Sequence, residues 1–325
     1  MLVIVQRTVL LGLLALGACG RLSFAPDPDD GNDDAPPADG ANGDAAPRPP
    51  DAAGSVHPWS HPPVLGPPTH LDVLASVMSE FDPFLAADHV TLYFSSARDG
   101  NGNIYRATRP TVGADFGAPT MLGADINTGS NETTFATTPD GLTAFVVSDR
   151  GGNYDFYSGS RATVGDAFGV LGPIVELNSP NSDFNVGLSG DLRSLWFCSD
   201  RSGGGGGAQD LWMATRAAVD AAWDPPTPGP FNTSGNDGGP TLSADGRVIV
   251  FAQQTVSNSA DLFYAYRADP AGAFGPAIPL DALNTSVVET TPFLRDDGRE
   301  LFFTREAGDG SGQGNWDLWV VQILD

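Results

Sequence analysis

Ser243-Ala244-Asp245-Gly246-Arg247-Val248-Ile249-Val250-Phe251 reads as a tight turn feeding a strand. Asp-Gly suits a two-residue hairpin turn, and four β-prone apolar residues follow almost at once. Eight positions before Asp245 stands another acid, Asp237. The same ungapped spacing of eight joins Glu80 to Asp88, Glu132 to Asp140, Asp183 to Asp191 and Glu289 to Asp297. A unit of about fifty residues that recurs at fixed spacing is one supersecondary element stacked on copies of itself.

Every copy continues alike. A second strand follows the turn, as in Thr91-Leu92-Tyr93-Phe94, Leu195-Trp196-Phe197 and Leu301-Phe302-Phe303. A polar, Gly-rich tip leads to a third strand with an aromatic residue, as in Ile104-Tyr105, Leu211-Trp212 and Leu318-Trp319. A fourth element carries Phe116, Phe168, Trp223 or Phe274 and closes on Asn127, Asn178, Asn232 or Asn284, each five residues before the next acid. No helical periodicity interrupts the pattern. Four antiparallel strands repeated radially make an all-β fold, a five-bladed β-propeller of four-stranded antiparallel blades. The fifth unit stops after its third strand, and Trp59-Ser60-His61-Pro62-Pro63 parallels Trp223-Asp224-Pro225-Pro226. The N-terminal strand is therefore expected to complete the last blade, leaving no free edge.

The turn, together with Ser148-Asp149-Arg150 or Ser199-Asp200-Arg201 and then Asp210-Leu211-Trp212 or Asp317-Leu318-Trp319, resembles the PD40, or WD40-like, repeat of TolB-like proteins. The resemblance covers essentially the whole repeat region. It implies a propeller that serves as a protein-interaction platform at an envelope membrane. TolB-like rings usually have six blades, so a six-bladed ring is the alternative to the count of five.

The residues ahead of the repeats are of another kind. Residues 1–18 hold one charged side chain, Arg7, and an apolar run from Val9 to Leu16, which is the plan of an export signal. Leu16-Gly17-Ala18-Cys19 resembles the bacterial lipobox, which implies a cleaved lipoprotein signal (1–18) and a lipid on Cys19. Residues 19–56 are rich in Pro, Ala and Asp with few bulky apolar groups, so they are expected to form a disordered acidic tether. The propeller domain is expected over 57–325. Asp27-Pro28-Asp29-Asp30-Gly31-Asn32-Asp33 resembles a calcium loop but has Ala38 where the bidentate Glu belongs. Gly20 after the cysteine gives no inner-membrane retention signal, so the outer membrane is the expected address. Cys198, in an apolar strand, is expected to be a small buried residue.

The formal charge is −24, and all sixteen basic residues are arginines. Such a surface repels nucleic acid and favours an envelope protein or peptide with a basic surface. A monomer is expected. Propeller first strands line the central channel, so Glu80, Glu132, Asp183, Asp237 and Glu289 would form a channel-rim ring able to bind a cation or a basic loop. In the first three blades an Arg lies ten residues after the turn Asp, at Arg98, Arg150 and Arg201, where an unslipped hairpin would set it opposite the acid. Opposite Asp237 and Glu289 the same position holds Thr255 and Ala307, with Arg305 displaced by two, so these two acids are the expected ligand contacts.

Catalytic constellations are poor. His57, His61 and His70 precede the repeats and His89 lies in the first turn, which supports no Ser-His-Asp arrangement. His57 and His61 are four apart but in a Pro-rich, non-helical stretch unsuited to zinc. Glycoside hydrolysis needs two carboxylates at a set separation, whereas these acids recur with the repeat. No cofactor is expected. Calcium could be held at the tips Asp99-Gly100-Asn101-Gly102-Asn103 and Asp309-Gly310-Ser311-Gly312-Gln313. The expected function is a non-catalytic protein-interaction scaffold, the alternative a carbohydrate-binding or glycoside-hydrolysing propeller.

Overall fold

The computed structural model describes residues 57–254, 259–307 and 315–324. The signal segment, Cys19, the tether, Thr255 and the 309–313 tip lie outside the described residues. Among the described residues there is no helix.

The chain enters through β1 (Thr69–His70) and then builds five sheets in order. Blade one is β2 (Glu80–Leu85), β3 (Thr91–Ser96), β4 (Asn103–Thr108) and β5 (Thr120–Met121). Blade two is β6 (Glu132–Thr137), β7 (Thr143–Ser148), β8 (Asp155–Ser160) and β9 (Gly172–Pro173). Blade three is β10 (Asp183–Leu188), β11 (Ser194–Ser199), β12 (Asp210–Thr215) and β13 (Thr227–Pro228). Blade four is β14 (Asp237–Leu242), β15 (Val248–Gln254), β16 (Ala260–Tyr266) and β17 (Ile278–Pro279). Blade five is β18 (Glu289–Leu294), β19 (Glu300–Glu306) and β20 (Trp316–Gln322), with β1 as its outer strand. The count is five, and every blade is a four-stranded antiparallel sheet. The innermost strands touch in ring order, β2 to β6, β10, β14, β18 and back to β2.

Second strands carry the cores. Leu92 and Phe94, Val146, Phe197, Val250 and Phe251, and Phe302 and Phe303 are all fully buried. Fourth strands are two residues long, and three of them contain Pro. Pro at an edge cannot donate to a further strand, which caps those three sheets.

Closure follows the expected plan. Thr69 pairs with Val320 and His70 with Trp319. Trp59 is 0% exposed and donates from its ring nitrogen to the Gly298 carbonyl, 3.2 Å away. The other blades show what it replaces. There Arg109, Arg161, Arg216 and Arg267 stack on Phe116, Phe168, Trp223 and Phe274, and their Nε atoms donate to the turn carbonyls of His89, Gly141, Leu192 and Gly246. At the closing blade one indole supplies both the aromatic face and the donor.

Candidate functional site

The five repeating acids open the five innermost strands, and all are 0% exposed. Glu132 is representative. Its Oε2 accepts from the Thr128 amide at 2.9 Å. Its Oε1 accepts from the hydroxyls of Thr128 at 2.7 Å and Ser148 at 2.8 Å, and from Arg150 at 3.1 Å. A hydroxyl residue four positions ahead recurs at Ser76, Ser179, Thr233 and Thr285, each donating its backbone N–H to its acid. These carboxylates therefore do not form an accessible rim. They fasten the loop entering each blade to the first hairpin.

The arginines reach the acids by an indirect register. Glu80 pairs with Ser96, not with Arg98: the turn pairs Leu85 with Leu92, which would set Glu80 opposite Ala97, and a bulge between Phe81 and Phe84 slips the hairpin one residue further. Arg98, two residues on, folds back to Glu80 at 3.1 Å and donates to the Leu74 carbonyl. Arg150 and Arg201 repeat this. In blade five the residue directly opposite Glu289 is Arg305, whose Nε lies 2.9 Å from it and whose guanidinium donates to the Leu283 carbonyl at 2.7 Å. Glu289, expected to lack a cationic partner, has one, because the turn and the slip together make the displacement by two a direct opposition. Asp237 stands opposite Gln253, which donates to the Phe231 carbonyl at 2.6 Å, the equivalent place. Among the described residues no arginine pairs with Asp237. Burial pushes its carboxyl up to about 6, with Asp210 also raising it.

The residues that do meet on the axis lie two residues after each acid: Asp82, Thr134, Asn185, Gly239 and Thr291, around a cavity of about 30 Å³. The Thr134 hydroxyl donates to Asp82 at 3.0 Å and the Asn185 amide at 2.8 Å. Four of the five sit in left-handed backbone, with φ of 53° at Asp82, 59° at Asn185, 58° at Gly239 and 42° at Thr291. Asp and Asn tolerate that region; β-branched Thr291 does so only under strain. Asp82 is half-buried, and its free surface opens on the cavity. Burial pushes its carboxyl up to about 7 against the two hydrogen bonds that pull it down. Phe84 and Phe293 meet beside the cavity, ring centroids 5.1 Å apart.

The chemistry this permits is narrow. About 30 Å³ holds a water or two, far below the roughly 300 Å³ at which ligand pockets begin. Asp82 is the one carboxylate on its lining. Three of the four histidines face carboxylates: His57 lies 3.3 Å from Asp245, His70 lies 2.5 Å from Asp72, and His89 lies 2.7 Å from Asp296. His89, Asp296 and Asp297 converge closely enough for a metal, but Asp297 is already held by Arg295 at 2.6 and 2.8 Å. At the Asp99–Asn103 tip, Asp99 accepts from the Tyr105 hydroxyl. Cys198 is fully buried, with Sγ 3.2 Å from Asn185 Oδ1. Sequence reasoning missed Asp82. The available signal was variation: the acid recurs, whereas two residues later the sequence runs Asp, Thr, Asn, Gly, Thr.

No family model and no curated protein sequence matches the chain. Solved structures match its fold. A thermostable family-43 glycoside hydrolase is 11% identical, with 79% of this chain and 93% of that chain covered and a TM-score of 0.53. An alpha-L-arabinofuranosidase from Podospora anserina, solved with cellotriose, is 12% identical, with 78% and 95% covered and a TM-score of 0.51. TolB from Acinetobacter baumannii is 16% identical over 78% of this chain, with a TM-score of 0.48, and the match spans 56% of that chain. At such identities the likeness establishes the propeller fold and nothing finer.

Proposed function

We propose that this protein is a lipid-anchored propeller of the bacterial envelope that works as a non-catalytic platform for a partner with a basic surface. One observation carries the non-catalytic half. The axial cavity, where propellers that act on small molecules would need room, is about 30 Å³ and is bordered by a single carboxylate. Glycoside hydrolysis by the usual route needs two carboxyl groups with a sugar ring between them. Binding then falls to the outer surface, and a chain of net charge −24 selects basic partners and disfavours nucleic acid. The anchor is a lipid on Cys19, with residues 19–56 as the tether and the outer membrane as the address; it rests on the lipobox resemblance.

The test is crosslinking in intact cells, followed by identification of the attached proteins, in parallel with Cys19→Ala. The expected result is a discrete envelope partner captured by the native chain and lost when Cys19→Ala releases the protein from membranes. Turnover of any member of a glycan panel, abolished by Asp82→Asn, would overturn the non-catalytic reading. Absence of fatty-acid label on the native chain would overturn the anchor.

A further inference from the structure

Neighbouring blades meet along seams that repeat one arrangement. A residue at the start of each third strand stands beside the buried acid that opens the next blade. The Asp183 amide donates to the Tyr154 carbonyl and the Asp237 amide to the Gln209 carbonyl, which brings Asp155 beside Asp183 and Asp210 beside Asp237. The equivalent positions elsewhere are Asn103 with Glu132, Asp261 with Glu289, and Asp317 with Glu80.

The formal charges of these seams differ. Glu132 and Arg150, with neutral Asn103, sum to zero. Asp155 and Asp183 with Arg201 leave −1, as do Asp261 and Glu289 with Arg305, and Asp317 and Glu80 with Arg98. His70 adds a nitrogen 3.5 Å from Asp317. Asp210 and Asp237 have no arginine among the described residues, and their seam carries −2. The cost of leaving a buried charge uncompensated is several kcal/mol per ion.

Asp210 adds an independent sign. It is 3% exposed, and its buried Oδ1 has no hydrogen-bond partner among the described residues; Asp155 Oδ1 and both oxygens of Asp317 share that trait, but their seams hold an arginine and this one does not. Thr233 contributes a hydroxyl 3.1 Å from Asp237 Oδ2. The glycine-rich tip of blade three lies over these groups at backbone distance. A Cβ on Gly204 would fall 2.1 Å from Asp210 Oδ2, and one on Gly205 would fall 2.5 Å from the Thr233 carbonyl. Every donor named is an oxygen, the choice of a hard cation. Irregular, carboxylate-led sets suit calcium better than magnesium, which demands near-octahedral order.

We propose that Asp210 and Asp237 hold a calcium ion in the seam between the third and fourth blades. The ion supplies the positive charge that Arg201 or Arg305 supplies in neighbouring seams, while Gln253 keeps the guanidinium's place against the Phe231 carbonyl. It is independent of the partner-binding role above, since no partner is involved.

The test uses the full chain in detergent, stripped with a chelator and titrated with calcium chloride by calorimetry, with thermal unfolding alongside. The expected result is one calcium per chain and a rise in Tm on its addition, both lost in Asp210→Asn and in Asp237→Asn and both kept in Asp155→Asn. Because an asparagine variant could fold poorly, Gln253→Arg provides a second arm. It installs the cation at the position Arg305 occupies in blade five, so the stripped variant should melt above the stripped native chain and take up no calcium. Failure of the native chain to bind calcium saturably, uptake retained in the Asp210 and Asp237 variants, or uptake by Gln253→Arg would each overturn the assignment.

Discussion

At the scale of single residues, the axis and the turns store the conspicuous costs. Asp82 is an acid whose folded value is raised to about 7 from 3.8. Its favourable contribution is complete below the unfolded value and is lost as pH rises through about 7, because the native state binds the proton more tightly than the unfolded chain. Asp82→Asn should therefore unfold like the native protein near pH 4 and be more stable at pH 8, by about 1–3 kcal/mol. An amide can take the Asn185 donor on its oxygen and present its NH₂ to the Thr134 hydroxyl, which is free to turn. Urea titrations at the two pH values check this, and equal stabilities at pH 8 would refute it. Leu192 offers a second case. It holds φ of 59° at the turn where three other blades have Gly141, Gly246 and Gly298. Left-handed backbone costs an L-residue about 1–2 kcal/mol, and glycine's extra unfolded-state freedom returns part of that. Leu192→Gly should raise stability by about 0.5–1 kcal/mol in the same assay.

At the scale of elements, the hairpin of acid, turn and second strand was legible from a single sequence because its residues obey the repeat. Asp237 and Asp245 keep their spacing whether or not the intervening strand bulges. What could not be read was the register. The bulge after each acid moves the facing residue by one, and the turn, which the Leu85–Leu92 pair centres between Asp88 and His89, accounts for the other, so Ser96 stands where Arg98 was expected and Arg305 stands squarely opposite Glu289. Spacing along a chain does not record an extra residue pushed out of a ladder. Asp82 was hidden for a related reason: it lies inside that bulge, where left-handed backbone breaks the alternation of the strand. The latch itself makes a prediction. Removing Arg305 leaves Glu289 buried against the Thr285 amide and hydroxyl without a cation, which costs about 3–5 kcal/mol, whereas replacing both partners by apolar groups is far less harmful. Arg305→Met should therefore lower unfolding stability more than the double variant Arg305→Met/Glu289→Leu. Equal losses would mean that the arginine acts by packing on Phe303 and Trp319 and not by charge.

At the scale of the whole molecule, a ring of self-similar sheets is only as strong as the blade built from both ends of the chain. The sequence parallel between Trp59 and Trp223 located that blade, since both aromatic residues fill one structural slot. The chemistry of the seam beside it was not legible, because its members lie far apart in sequence. Glu300 accepts from Arg109 of blade one at 2.7 and 3.0 Å, from Arg295 at 2.6 Å and from Gln322 at 2.9 Å. These donors hold its carboxyl below the ordinary glutamate value despite burial. Its stabilising contribution is therefore present above the unfolded value and fades as pH falls through the lower folded one. Trp59 works on the other flank of the same blade, packed edge-on to Tyr264 of blade four at 5.2 Å. Trp59→Ala should cost about 3–5 kcal/mol through the cavity it leaves. Trp59→Phe keeps an aromatic face but leaves the Gly298 carbonyl without its donor, a loss of about 1 kcal/mol. If the ring is fastened here, Trp59→Ala should mainly accelerate unfolding, and adding Glu300→Gln should accelerate it further, because both changes loosen the same closing blade. Stopped-flow unfolding in urea measures this directly; a Trp59→Ala chain that unfolds at the native rate would mean that the ring is held shut elsewhere.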